Sequence, residues 1–168
     1  VYYGDEIGMR YVEGLTSVEG GYERTGARSP MQWDKGVNAG FSAAPKEKLY
    51  IPQDPASDRP TAAAQVEDPD SQLNQVKDLI ALRQAHPALH NRSGIRFVSN
   101  GAPKTVLAYE RFCKDEQLLV IVNPYREEVS FPWDKTLGQA VYAFGTEAKQ
   151  KNGVITAAPV SACVMKIR

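Results

Sequence analysis

Two acidic side chains stand next to each other near the start of the chain, in Tyr2-Tyr3-Gly4-Asp5-Glu6-Ile7-Gly8. An apolar run that ends in glycine and carboxylates would set Asp5 and Glu6 at the lip of a sheet, where the active sites of α/β folds lie. Paired carboxylates can serve as acid, base or nucleophile. Glycosidic cleavage needs them about 5–9.5 Å apart, across the sugar. Neighbours on an extended strand point to opposite faces, so Asp5 and Glu6 cannot both face one substrate. The competing reading pairs one carboxylate with a cation and leaves the other in water, and the residues alone favour it.

A second group is Gly26-Ala27-Arg28-Ser29-Pro30-Met31-Gln32-Trp33-Asp34. A guanidinium on a loop offers a fork of donors to vicinal hydroxyls, and an indole face can stack on a sugar ring. Arg28 reads equally well as a polyol ligand or as the partner of an acid. Trp33 reads as a loop anchor in a core. Asn38-Ala39-Gly40-Phe41-Ser42 reads as a turn with an apolar anchor, and Lys46-Glu47-Lys48 and Lys149-Gln150-Lys151 as solvated surface. Met31, Met165 and the strand aromatics are expected in the core. Cys113 and Cys163 are the two cysteines. Neither has a histidine nearby in sequence, so a cysteine nucleophile is not expected. With His86 and His90 they cannot build a zinc site. The absence of a disulfide framework fits a reducing, cytoplasmic setting.

The elements that must position these residues fall into three zones. Residues 1–65 are rich in glycine and proline and show little periodicity. Over residues 68–86 the sequence predicts a helix. Asp68 is suited to its N-cap, Pro69 to its first turn and Asp70 to the positive end of its dipole. Leu73, Val76, Leu79, Ile80 and Leu82 form an apolar stripe at helical spacing, and Pro87 ends the helix. Five apolar side chains at about 1.5–3 kcal/mol each for full burial would dock it on the following strands through Leu73, Val76 and Ile80. Strands are predicted at 95–99, 105–111, 118–123, 128–131, 140–144, 154–155 and 162–167. Asn100-Gly101, Asn123-Pro124 and Asn152-Gly153 are turn dipeptides between them. The fold class is therefore mainly β with one helix, the strands forming an antiparallel sandwich.

Length and charge exclude several classes. The chain has 168 residues, too few for a whole (β/α)8 barrel, which takes about 250. Twenty Lys plus Arg balance 20 Asp plus Glu, so the basic excess of a nucleic-acid binder is missing. With 42% hydrophobic residues the chain can build a core, yet it has no run of about 18 apolar residues to span a bilayer. It begins without Met, on residues that read like the inside of a strand. That is expected of a piece of a longer protein.

Residues 2–9 (Tyr-Tyr-Gly-Asp-Glu-Ile-Gly-Met), 28–34 (Arg-Ser-Pro-Met-Gln-Trp-Asp) and 38–42 (Asn-Ala-Gly-Phe-Ser), in this order, resemble the α-amylase superfamily of glycoside hydrolases. They are most similar to its oligo-1,6-glucosidase, α-glucosidase and trehalose synthase branch. Residues 68–74, 79–83 and 86–89 continue the resemblance and look like the last barrel helix of that family. The pattern commonly has Thr where Ser29 stands, which keeps the hydroxyl. The segment 49–61 is less standard.

The resemblance implies that residues 1–91 are the C-terminal end of a (β/α)8 catalytic barrel: eighth strand, long loop and last helix. Residues 92–168 would be a C-terminal antiparallel β-sandwich domain. Family members are retaining enzymes that work through a covalent glycosyl intermediate, and their catalytic carboxylates follow earlier barrel strands. No catalytic residue is assigned here, and the chain is expected to be inactive alone. By resemblance Arg28 holds hydroxyls of a terminal glucose. Glu6, with Asp5 as the alternative, is a loop acid near the acceptor side. No cofactor and no metal are implied. The partner is an α-glucoside oligosaccharide, not nucleic acid or membrane.

A trehalose synthase or other transglycosylase is the alternative within the family. Outside it, the strands would be a carbohydrate-binding or structural module, depending on whether Tyr109, Tyr125, Trp133 and Tyr142 are exposed or buried. A lone eighth strand cannot satisfy its backbone. Residues 1–65 are therefore expected to be partly disordered, rearranged, or paired with a second copy through the apolar barrel remnant.

Overall fold

The apolar run at 118–122 is the central strand of a sheet in the computed structural model, which describes residues 2–98 and 106–168. Among the described residues eight strands follow one another along the second part of the chain: β1 (Gly94–Phe97), β2 (Leu107–Phe112), β3 (Gln117–Asn123), β4 (Val129–Pro132), β5 (Leu137–Phe144), β6 (Lys149–Lys151), β7 (Val154–Ala157) and β8 (Ser161–Ile167). They form a five-stranded sheet in the order β1-β2-β3-β8-β5 and a three-stranded sheet in the order β4-β7-β6. Every pairing is antiparallel. Two helices precede the strands, α1 (Ala62–Val66) and α2 (Gln72–Ala85), and only α2 exceeds two turns. The chain is thus mainly β with one substantial helix, as its sequence predicts. It divides into two units, one ending at Leu79 and one beginning at Ile80.

In the second unit, side chains from both sheets share one core. Leu119, Ile121, Cys163 and Met165 come from the larger sheet, and Val129, Phe131, Ile155 and Ala157 from the smaller. The opposite face of β3 puts Leu118 and Val120 in a second cluster with Ala88 and Val164, joined by Leu82 and Leu89. Both faces of β3 are covered, which is why its sequence reads as a continuous apolar run instead of an alternation. Glu116 fixes the segment that follows α2. It accepts from Ala88 N at 2.9 Å and lies 2.6 Å from His86 Nδ1. Burial would push the Glu116 carboxyl up, but these hydrogen bonds outweigh it and hold it below the usual range. Asn152 and Gly153 both have positive φ, 51° and 74°, as the two-residue turn joining β6 to β7 requires.

Asn123 is 1% exposed at the end of β3. Its amide donates to the carbonyls of Glu127, Ala157 and Ala158 at 2.9, 3.2 and 2.8 Å. Asn123→Ala leaves those carbonyls without that donor, at about 1–3 kcal/mol for each one left unsatisfied. We expect the urea midpoint of this unit to fall with an unchanged slope. An unshifted midpoint, followed by the fluorescence of buried Trp133, would show that the amide is dispensable.

Several expectations need correction. The helix starts at Gln72, not at 68. The Asp68 carboxylate accepts from Asp70 N at 3.0 Å and forms a local turn. Ser71 Oγ accepts from Asn74 N at 3.3 Å and takes the cap instead. No side chain of α2 is buried, and Ile80 is 53% exposed. Of the α2 residues that belong to the second unit, Leu82 packs against one of its apolar clusters. The strand aromatics divide: Phe131 and Trp133 are buried, whereas Phe97 is 67% exposed. Ser99, the Asn100-Gly101 dipeptide and Thr105 lie outside the described residues.

In the first unit, the residues that resemble an eighth barrel strand do not form a ladder. The segment turns at Tyr3-Gly4 into a 3-10 turn over Asp5–Ile7. Residues 2–65 are a succession of loops and short helical turns, with one isolated bridge between Ser17 and Gly20. Side-chain amides tie the loops of this unit together. Asn38 donates to the carbonyls of Ser42 and Ala44, each at 2.8 Å, and Gln53 donates to Asn38 O at 2.8 Å. Gln65 donates to Ile7 O at 2.8 Å and Gln32 to Pro60 O at 2.9 Å. Arg10 joins Asp54 and Asp58 at 3.2 and 3.1 Å.

Candidate functional site

Gly4 opens the segment that carries the two carboxylates, with φ +89°; a Cβ there would come within 2.5 Å of Met9 Sδ. This positive φ turns the chain into the 3-10 turn and separates Asp5 from Glu6. Asp5 Oδ2 accepts from Tyr2 N at 2.8 Å, and Asp5 does not line the cavity described below. Glu6 Oε2 accepts from Gly4 N at 2.8 Å. Glu6 faces a cavity of about 390 Å³ that Arg28 also lines. The structure therefore brings Arg28 and Glu6 together and leaves Asp5 aside.

Arg28 ends a 3-10 turn over Thr25–Arg28, which is packed tightly at Gly26. A Cβ at Gly26 would approach Val12 O to 2.3 Å. The Tyr3 hydroxyl donates to the carbonyls of Arg28 and Ser29 at 3.0 and 3.2 Å, tying the two loops together. Burial, then the neighbouring Tyr2, pushes the Tyr3 phenol up, so it remains a donor at neutral pH. Arg28 is exposed and, among the described residues, has no carboxylate within salt-bridge distance. No described carboxylate therefore takes up its guanidinium donors.

Aromatic faces complete the cavity. Trp33, Phe41 and Tyr50 line it and are 52%, 49% and 52% exposed. This corrects the placement of Trp33 and Phe41 as buried anchors. The Trp33 backbone is held instead, its N–H bonding to Ala39 O at 2.8 Å and its carbonyl accepting from Ala63 N at 2.8 Å. Buried Ala39 and Met31 provide the apolar anchoring. Sequence reasoning passed over Tyr3 and Tyr50 as site residues. Their residue types leave no local signal, since what marks them is the cavity to which folding brings them. A few polar groups converging on an aromatic-lined cleft is the usual make-up of a small-molecule site. Among the described residues no group of three His, Cys, Asp or Glu side chains is placed to hold a metal ion.

The four aromatics named as platform candidates in the second unit are not exposed. Trp133 is buried, Tyr125 packs against the larger core cluster, and Tyr109 and Tyr142 pack against the smaller.

Residues 1–92 match the family model described as "Alpha amylase, catalytic domain". The chain belongs to the α-amylase family. Family relatives include the trehalose synthase of Thermus thermophilus, 37% identical over 139 residues, which are 78% of this chain and 13% of that protein. The trehalose synthase/amylase TreS of Mycobacterium tuberculosis is 40% identical over 115 residues, 66% of this chain and 18% of that protein. The oligo-1,6-glucosidase of Parageobacillus thermoglucosidasius is 35% identical over 100 residues, 60% of this chain and 17% of that protein. The chain thus spans less than a fifth of the length of these relatives. The trehalulose synthase MutB from Pseudomonas mesoacidophila superposes with a TM-score of 0.72 at 27% identity, covering 86% of this chain and 26% of that one. Among the described residues no helix is long and apolar enough to cross a membrane.

Proposed function

We propose that this chain is the C-terminal portion of a retaining α-glucosidase-type glycoside hydrolase acting on short α-glucosides. Residues 1–91 would complete the end of the catalytic barrel, and residues 92–168 would be a structural β-domain beside it. The observation that carries this reading is the shared cavity of Arg28 and Glu6, walled by aromatic faces, in a chain of this family. Guanidinium donors and a carboxylate acceptor suit vicinal hydroxyls, and Trp33 and Phe41 suit the apolar face of a pyranose.

The nucleophile and the acid/base are supplied by sequence outside these residues, so the purified chain has binding function without turnover. The free thiols Cys113 and Cys163 support a reducing, cytoplasmic setting.

A titration tests this reading. Glucose and maltose should move the Trp33 indole N–H resonance and leave that of buried Trp133 in place. Arg28→Ala should weaken binding by about 1.5–3 kcal/mol, the range for hydrogen bonds to charged groups, which is at least about tenfold in Kd. Glucose release from maltose or isomaltose by the purified chain, or unchanged affinity in Arg28→Ala, would count against it. A trehalose-synthase-type transfer is the second reading, favoured by the 37–40% identity to trehalose synthases. The ratio of trehalose to glucose formed from maltose by the enzyme to which this portion belongs decides between the two.

A further inference from the structure

The cavity that holds Arg28 and Glu6 has a small neighbour. A second hollow of about 70 Å³ is lined by Glu19, Arg24, Thr25, Arg28 and Tyr50, among others. Tyr50 also lines the main cavity. It therefore borders both spaces, as do Arg28 and Ile51. Arg28 supplies the polar contact and Ile51 is buried, which leaves the half-exposed Tyr50 ring as the removable part of the wall.

The small hollow has less than a fifth of the main cavity's volume, about 70 against 390 Å³. The Tyr50 backbone is fixed from behind, since Val18 N donates to Tyr50 O at 3.0 Å. Val18 belongs to a tight turn in which Ser17 N donates to Gly20 O at 2.9 Å and Ser17 Oγ donates to the same carbonyl at 2.9 Å. Glu19, on that turn, lies beside the Tyr50 hydroxyl and holds its proton on, keeping the phenol neutral.

Resting on the proposed sugar-binding reading, we infer that Tyr50 sets the chain length of the bound glucoside. Its ring closes the main cavity on the Arg28 side, so added glucose units gain no contact there. Removing the ring joins the two hollows into one groove that passes Arg28. The polar lining of the smaller hollow, Glu19 and Arg24, then becomes available to a further sugar.

The test is a titration of the full chain with glucose, maltose and maltotriose, read from the Trp33 indole resonance. In the unaltered chain the three sugars are expected to bind within about threefold of one another. In Tyr50→Ala maltotriose gains about tenfold over glucose, which corresponds to about 1.4 kcal/mol. Tyr50→Leu keeps apolar contact for Ile51 and gains in the same direction. Tyr50→Phe keeps the ring and the original ratio. If the ratio stays flat in Tyr50→Ala and Tyr50→Leu while glucose still binds, the length assignment is overturned and the sugar-binding reading stands. If Tyr50→Phe behaves like Tyr50→Ala, the ring is not the wall and the assignment is overturned. If no sugar moves Trp33 in any form of the chain, both readings fall together.

Discussion

Truncating Phe131 to alanine is expected to destabilise the β unit by about 3–5 kcal/mol, the range for emptying an aromatic site in a packed core. Phe131 is 1% exposed, and on β4 it stands opposite Ile155, itself fully buried. It joins the two sheets by packing among side chains of both. Collapse around the gap is limited, because its neighbours are held in antiparallel ladders. The loss is large against the roughly 5–15 kcal/mol by which domains are stable. Urea unfolding followed by Trp133 fluorescence measures it directly, and a loss below about 1 kcal/mol would mean that this core tolerates the hole.

Stripping both cations from Glu110 should cost about as much, with a pH dependence that identifies the cause. Its side chain is 6% exposed, with Lys135 Nζ 2.7 Å from Oε1 and Arg96 on Oε2. Burial would raise the Glu110 carboxyl, but the two cations outweigh it and hold it below the usual carboxylate range. Stability from a depressed carboxyl is present above its unfolded value and is lost as pH falls through the depressed one. In Arg96→Ala with Lys135→Ala the carboxylate is left buried and unpaired, costing about 3–5 kcal/mol at neutral pH. Its pKa then rises, and protonation at low pH relieves the cost. The gap between the parent chain and the double variant should therefore be widest near neutrality and should narrow in acid. A gap independent of pH would assign the loss to the removed side-chain stems, not to the charge. Arg96→Ala alone should cost less, since Lys135 still neutralises the carboxylate.

Where local chemistry permits only one answer, the sequence is a good guide to this fold. Pro87 ends α2 because its ring disfavours helix at the preceding residue, and His86 is extended, with φ −116° and ψ 104°. Asn152-Gly153 forces a hairpin, since both residues take positive φ. The start of α2 is less legible. Asp68 and Ser71 are both competent caps, and the choice falls to Ser71, whose hydroxyl also donates to Gln65 O at 2.7 Å. That contact comes from packing and leaves no local mark.

The site shows the same division. Arg28 is half legible: its type fits a polyol ligand or an acid's partner, and only its surroundings show that no described carboxylate pairs with it. Trp33 is misread because a tryptophan's usual place is a core, whereas here the backbone on either side of it is held and the ring is left outside. Tyr50 is invisible in sequence, because its significance lies in bordering two hollows.

β6 runs along an open margin of the three-stranded sheet and consists of Lys149, Gln150 and Lys151. Its period carries no apolar signal, which is why the sequence reads only as surface. An unpaired strand margin invites another chain to zip onto it, and lysine is a common deterrent. Two ammonium groups on so short a strand make any incoming β-segment strip water from them before it can bond. The sandwich thus carries, in three unremarkable residues, its own guard against fibril growth from that side.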